Sequence, residues 1–176
     1  RILEYIREDG TNPNKKWFDS LDAQAAARIS VAKARLELGN TSNIKWFEGI
    51  GEYKIDWGPG YRIYLAHDGK SLIVLFGGGT KKRQQADINK AKALFREYKI
   101  RKKKRRHMAI TRDYKKTIKE RVQRDSDFSI ALLDEAISLF LNGEPKVARL
   151  VLRDLINATV GFEELAETVK KGELSV

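Results

Sequence analysis

The chain has 176 residues, 41% of them apolar, which suffices for one ordinary domain or two small ones and argues against wholesale disorder. It has no cysteine and two histidines, no signal peptide opens it and no apolar run reaches membrane-span length, so a cytoplasmic protein without metal, cofactor or membrane contact is expected. The net charge of +11 favours a polyanionic partner such as RNA, DNA or the ribosome, although a solvated basic surface stays the alternative.

A short strand and two helices are predicted first. Residues 2–6 are typical of a short strand. The turn-forming residues 12–14 predict a helix that continues to Leu21. Asp22 is a good N-cap for a second helix, whose apolar residues recur at helical spacing as far as Leu38 and which ends at residues 39–40.

Three antiparallel strands and a helix are predicted next. Residues 44–57 have extended character, since Tyr53, Ile55 and Trp57 alternate with two charged residues. Returning and central strands are expected at residues 61–65 and 72–76, with turns at 58–60 and 67–70. A helix over 85–98 completes a predicted α+β module of residues 1–104. We expect it to be a small antiparallel sheet with an N-terminal helix pair and a C-terminal helix, all packed on one sheet face.

A basic seam follows. Residues 101–106 are all Lys or Arg, and like charges this dense resist packing, which predicts a linker or tail. Residues 1–106 hold 24 Lys and Arg against 12 Asp and Glu, whereas residues 107–176 hold 11 against 12. Because the single methionine, Met108, follows this run and the chain opens with Arg1, we expect residues 105–108 to be a basic linker or a fusion seam between two proteins. An ordinary linker in one natural gene is the alternative.

Residues 109–176 are predicted to form an all-α module. Apolar spacing places helices over residues 114–122, 128–141, 144–158 and 162–169. Asn142 and Gly143 are a typical helix stop, and Pro145 is typical of a first helical turn.

Five cations are the candidate functional residues of the first module. Lys54, Arg62 and the run of Lys81, Lys82 and Arg83 come from three consecutive antiparallel segments, so they can meet on one sheet face. The glycines at 77–79 would let the backbone bend and a phosphate approach. RNA carries its own nucleophile, the 2′-hydroxyl, so such a site needs only a base, charge stabilisation and a proton donor. Spacing alone leaves open a phosphate-binding patch without catalysis.

Four aromatic residues have two possible roles. They could stack on RNA bases or pack in the core. Trp57 is expected to be mainly core, and the role of Tyr64 stays open. The four are Trp46, Trp57, Tyr61 and Tyr64.

Two segments of the first module resemble the phage Gp49-like branch of the RelE/HigB toxin superfamily. They are Gly51-Glu-Tyr-Lys-Ile-Asp-Trp-Gly-Pro-Gly-Tyr-Arg-Ile-Tyr64 and Gly77-Gly-Gly-Thr-Lys-Lys-Arg-Gln-Gln-Ala-Asp-Ile88. The segment at residues 17–22 is similar to the same branch. The resemblance covers residues 1 to about 100. It implies a metal-independent, ribosome-dependent endoribonuclease that cuts mRNA in the ribosomal A site by 2′-hydroxyl attack.

The resemblance also implies site residues. Lys54 matches a strand lysine of the RelE-type active face, Arg62 matches the arginine of a Gly-Tyr-Arg motif, and residues 81–83 match the basic loop. Two positions depart from RelE: Asp56 stands where RelE has a second strand lysine, and Asp87 is the nearest match to its late active-site tyrosine. The general base and acid are therefore left open, with Tyr98 as a substitute for the missing aromatic.

The second module resembles the HigA-like addiction-module antidotes. The residues that carry the resemblance are Thr111-Arg-Asp-Tyr-Lys, Ala131-Leu-Leu-Asp-Glu-Ala136, Leu141-Asn-Gly-Glu144 and Asp154-Leu-Ile-Asn157. It implies an antitoxin that contacts the toxin module within the chain or between copies, so association between copies stays open. Residues 161–166 would only open a helix-turn-helix, so operator DNA is not an expected partner. A non-catalytic nucleic-acid-binding protein and a transcriptional autorepressor are the alternative functions.

Overall fold

A computed structural model describes residues 1–69, 73–104 and 109–159, together with Glu167 and Lys170. The elements in chain order are β1 (Ile2–Tyr5), α1 (Pro13–Ser20), α2 (Ala23–Glu37), β2 (Ile44–Phe47), β3 (Ile50–Ile55), β4 (Tyr61–His67), β5 (Ile73–Thr80), a 3-10 turn (Lys81–Arg83), α3 (Gln84–Lys104), β6 (Thr111–Asp113), α4 (Tyr114–Arg124), α5 (Ser126–Leu141) and α6 (Pro145–Thr159). The fold is therefore mixed α+β. None of the helices in these ranges is both long and apolar enough to cross a membrane.

The six strands of the described ranges form one sheet, in the order β2-β3-β4-β5-β1-β6. Strands β2 to β5 are an antiparallel meander, as the alternating pattern predicts. The prediction of a purely antiparallel sheet is wrong, because β1 lies parallel to β5. Parallel neighbours need a long crossover, and here helices and three strands separate β1 from β5 along the chain.

Helices cover both faces of the sheet, so the prediction of one covered face is wrong. Ile63 and Leu65 of β4 pack with α2 on one face, whereas Tyr64 and Ala66 lie in clusters formed with α3 on the other. The reason is that β4 is buried on both sides from Tyr61 to Ala66, and a strand with two buried faces requires two covering layers.

The second module contains a strand, so the prediction that it is helical throughout is wrong. Residues Thr111–Asp113 pair antiparallel with β1 and satisfy the backbone groups of an otherwise open sheet edge. The helices α4, α5 and α6 follow within two residues of their predicted bounds at every end. The helix predicted over residues 162–169 lies outside the described residues except at Glu167.

One continuous apolar core runs through both modules. The ring of Phe18 in α1 meets that of Phe128 in α5 edge to face, with centroids 5.7 Å apart. The guanidinium of Arg121 donates hydrogen bonds of 2.6 Å to the carbonyl oxygens of Phe18 and Leu21. Buried Glu4 of β1 accepts a hydrogen bond of 2.8 Å from the Thr117 hydroxyl. The modules therefore share their interior across the predicted boundary.

The basic run is helical where the structure describes it, so the prediction of a linker or tail over residues 101–104 is wrong. The last turn of α3 contains Arg101, whose side chain is buried. Its Nη1 donates to the hydroxyl of Tyr5 at 3.0 Å, and its guanidinium lies over the Tyr5 ring. Burial of Arg101 thus stabilises the last turn of α3, although the neighbouring lysines 102–104 repel one another. Residues 105–108 lie outside the described residues.

Candidate nucleic-acid interface

The pairing of β3 with β4 brings two of the candidate cations together. Lys54 and Arg62 are direct register partners in the antiparallel ladder. Partners in such a ladder point to the same side of the sheet, so both lie on the face that α3 covers. The Lys54 side chain is 52% exposed, and its Nζ lies 2.7 Å from Oδ1 of Asp56. Asp56 therefore neutralises part of the positive charge of Lys54, whereas a second lysine at this position would add to it.

Arg62 is more enclosed than a phosphate ligand on an open surface would be, since only 5% of its side chain is exposed. Its Nη1 donates to the carbonyl oxygen of Gly60 at 2.9 Å, and its Nε lies 3.6 Å from Oε1 of buried Glu52. Glu52 also accepts from the Tyr64 hydroxyl at 3.2 Å and from the Gln84 amide. A polar network under the sheet face thus holds Arg62 in one orientation.

The segment predicted as a basic loop is a 3-10 turn. Lys81, Lys82 and Arg83 are all exposed on it. The backbone N–H of Lys81 donates to the Gly60 carbonyl at 3.1 Å, the same oxygen that accepts from Arg62. The turn therefore begins beside Arg62. Within the described ranges, Lys82 and Arg83 make no hydrogen bond or ion pair with Lys54 or Arg62.

The three glycines are part of β5, so the prediction that they form a bend after the strand is wrong. Gly79 pairs with Arg62, and Gly78 pairs with Ile63. Two side chains use the space that a Cβ would fill: the Trp17 ring lies against Gly78, and the Asp87 carboxyl lies against Gly79. Gly78 and Gly79 therefore serve close packing of side chains on the strand, whereas Gly77, with φ +123°, lies at the irregularity of the ladder opposite Tyr64 and Leu65.

Replacing Gly79 with alanine should lower the free energy of unfolding by about 1–3 kcal/mol, because the new Cβ overlaps Asp87 Oδ2. Urea denaturation of the full chain measures the loss. The double variant Gly79→Ala/Asp87→Ala should recover most of it, since the overlapping atoms are gone. An equal loss in the single and double variants would show that the contact with Asp87 is not the cause.

The sequence points to Asp87 only as the nearest match to a RelE tyrosine and not as a neighbour of the five candidate cations, yet the structure places its carboxyl against Gly79, the register partner of Arg62. Its Oδ2 is buried and has no hydrogen-bond partner. Burial raises the pKa of this carboxyl, and the charges of Arg83 and Lys90 oppose that shift. A cavity of about 30 Å³ separates it from Tyr64, whose pKa is raised by burial and by Glu52. Burial therefore favours the protonated form of both groups that adjoin Arg62.

The aromatic candidates do not form a stacking surface beside Arg62. Tyr61 and Tyr64 are buried, and Trp57 packs partly against the core, as predicted. Trp46 is 42% exposed and stacks on His67, but its ladder neighbours place it on the α2 side of the sheet.

Tyr98 does not replace the aromatic of the RelE-type site. Its ring is buried against Tyr5 and Phe76, and its hydroxyl donates to Asp68. It belongs to the core beneath α3.

The second module lies along α1, α2 and β1, on the side of the sheet opposite to α3. The ion pairs that join the modules are Arg112–Glu4, Lys15–Glu120, Arg124–Asp19, Arg28–Glu135, Arg35–Glu144 and Lys115–Glu37. In the described part of the chain, no hydrogen bond or ion pair between the modules involves Lys54, Arg62 or residues 81–83. The second module therefore leaves these five side chains uncovered by direct polar contact.

Comparison with known proteins gives one relationship. The chain is 41% identical over 83 residues to an uncharacterized protein of Haemophilus influenzae, and the alignment spans 46% of this chain and 84% of that protein. No protein-family model matches the chain, and no solved structure matches it. The aligned part of the chain belongs to the same protein family as this Haemophilus protein.

Proposed function

We propose that residues 1–104 are a ribosome-dependent mRNA endoribonuclease of the RelE/HigB type and that the second module is its HigA-like antitoxin. The observation that carries the proposal is the register pair Lys54–Arg62 beside the turn that starts at Lys81. Clustered cations on one sheet face suit a scissile phosphate, and RNA supplies the attacking 2′-hydroxyl. The order of strands and helices in this module supports a RelE-like fold.

The cations have distinct roles in this proposal. Arg62, fixed by Glu52 and Gly60, stabilises the charge that develops on the phosphoryl oxygens, and Lys81 adds to this field. Lys54 lies at the open side of the pair, where its ammonium adds positive charge beside the scissile phosphate and the 2′-hydroxyl proton can pass to solvent water. The carboxyl of Asp87 lies against Gly79, the register partner of Arg62, and burial favours its protonated form, so it can donate a proton to the departing 5′-oxygen.

Inhibition in this proposal does not require the second module to fill the site. The module lies on the α2 side and along β1, and its helices add bulk to the toxin module. A nuclease that must enter the ribosomal A site is then excluded by size. Expression of the two modules as separate chains tests this arrangement and lets the first module fold against its partner.

The test encodes residues 1–104 and 109–176 under independent promoters in bacteria. Stopping synthesis of the second module while the first continues should arrest translation, and primer extension should map cuts within translated messages. Untranslated copies of the same messages should stay whole. Continued translation despite accumulated first module would overturn the nuclease proposal and favour a phosphate-binding protein without catalysis, for which the exposed cations Lys81, Lys82 and Arg83 are the supporting observation.

A further inference from the structure

A charged cavity of about 280 Å³ lies where the two modules meet, between α2, the end of β3 and α5. Arg28 and Arg35 supply positive charge to its wall, Lys54 lines it together with its ion-pair partner Asp56, and Trp57 adds an aromatic ring. From the second module, Glu135 reaches the same wall. The cavity thus combines the groups that bind nucleic-acid backbone with a carboxylate from the other module.

Carboxylates of the second module hold both arginines. Arg35 donates from Nε and Nη2 to the two oxygens of Glu144 at 2.9 and 2.8 Å, the two-pronged geometry with which arginine also binds phosphate. Arg28 has its Nε 2.9 Å from Oε1 of Glu135, and its guanidinium lies over the Trp57 ring. Each glutamate therefore takes the place that a phosphate oxygen would take.

Lys54 connects this cavity with the proposed cleavage site. It contributes to the cavity wall and is the register partner of Arg62. The pairing of β2 with β3 stops at Tyr53, so β2 leaves the edge of β3 open at Lys54. The cavity lies on the α2 side of the sheet and Arg62 on the α3 side. A single strand that passes around this open edge can therefore have one phosphate at Arg62 and other phosphates in the cavity.

We propose that Arg28, Arg35 and Lys54 bind the RNA backbone next to the cleaved linkage, and that Glu135 and Glu144 compete with RNA phosphates for the two arginines. This inference rests on the proposed function and names how the second module acts on the same site. Glu144 accepts two hydrogen bonds from Arg35, and Glu135 is ion-paired with Arg28, so both carboxylates repel an approaching phosphate. The second module thereby weakens RNA binding from the far side of α2 without covering Arg62.

The experiment measures RNA binding by the full chain with fluorescence anisotropy. The probe is a labelled single-stranded RNA with 2′-O-methyl groups throughout, which cannot be cut by its own 2′-hydroxyls. The Glu135→Gln/Glu144→Gln variant should bind roughly tenfold more tightly at about 0.1 M salt, and its log–log salt slope should steepen by about 1.4, since each phosphate contact on a single strand contributes about 0.7. Adding Arg28→Gln and Arg35→Gln should return both values to those of the parent chain.

A matched control is Glu120→Gln, which also removes one junction carboxylate but leaves Arg28 and Arg35 paired. Glu120 lies 3.1 Å from Lys15 and 3.0 Å from Arg112. This variant should bind RNA as the parent does, whereas Glu135→Gln should bind more tightly. Equal tightening in both would show that net charge or a loosened junction is the cause, and would overturn the inference. RNA binding that is unchanged in the Glu135→Gln/Glu144→Gln variant would overturn the inference as well.

Two further comparisons cover a variant that does not fold and separate this inference from the proposed function. If the glutamine pair does not fold, Glu144→Gln alone, at a side chain that is 38% exposed, tests the Arg35 half. Cleavage by the first module without any dependence of RNA binding on Arg28 and Arg35 would overturn this inference alone. Arginine-dependent binding without cleavage would overturn the proposed nuclease and leave the cavity as an RNA-binding site.

Discussion

Replacing Phe128 with alanine should lower the free energy of unfolding of the whole chain by about 3–5 kcal/mol, the range for a fully buried phenylalanine. Its ring is 0% exposed and meets Phe18 edge to face. The guanidinium of Arg121 lies over both rings, 5.4 and 5.2 Å from their centroids. Because these groups come from both modules, the loss of stability should lower the unfolding midpoint of each module.

The measurement is urea denaturation followed by two signals. All tryptophans, at positions 17, 46 and 57, lie in the first module, whereas α5 lies in the second. Tryptophan fluorescence and helical circular dichroism should therefore shift together in the Phe128→Ala chain. Ile130→Ala on the same helix, at a side chain that is 60% exposed, should change stability by less than about 0.5 kcal/mol. If the midpoint of the fluorescence transition were the same in the Phe128→Ala chain and in the parent, the modules would unfold independently.

Arg62→Gln should reduce the rate of RNA cleavage by about 100–1000-fold in the two-promoter assay, the usual loss when a fixed donor to a developing anion is removed. The side chain is held by Gly60 and lies near Glu52, so it needs little reorganisation as charge develops. Cleavage of a chosen message is quantified by primer extension after synthesis of the second module stops.

Two comparisons separate this catalytic loss from a structural one. Removing Arg62 leaves the buried carboxylate of Glu52 uncompensated, which is itself destabilising. The double variant Glu52→Gln/Arg62→Gln removes both charges and should stay folded but equally slow. Lys16→Gln, an exposed cation on α1, changes the net charge by the same amount and should cut at the parent rate. Full activity in the double variant would exclude Arg62 from the reaction.

Local signals in the sequence predict much of the fold. Asp22 is predicted as an N-cap, and its side chain accepts from the backbone N–H of Ala25 at 2.8 Å. The period-2 alternation around Lys54 and the returning strand at Arg62 together predict the pairing that places both on one face. Such features depend on residues close together in the chain, or on one hairpin, so pattern alone is sufficient.

Other features depend on distant packing that no local pattern contains. The partners of β1 are β5 and β6, about 70 and 110 residues away in sequence. Lys33 resembles any helical lysine, yet its amine is fully buried over the Phe18 ring, and burial lowers its pKa to about 8. Asp87 lies in a polar stretch at the start of a helix, and only the glycine beneath it allows its burial. In the sequence, the glycine at position 79 is only a weak sign that another side chain packs closely against the backbone there.

The short connection between α3 and β6 determines how the two modules can separate. Only six residues, 105–110, lie between Lys104 and Thr111. A tether this short keeps the second module at an effective local concentration on the order of millimolar or more, whatever the concentration of the chain in solution. Dilution therefore cannot free the first module of this polypeptide. A protease that cuts within residues 105–110 converts the same pair of modules into two chains whose association depends on their abundance.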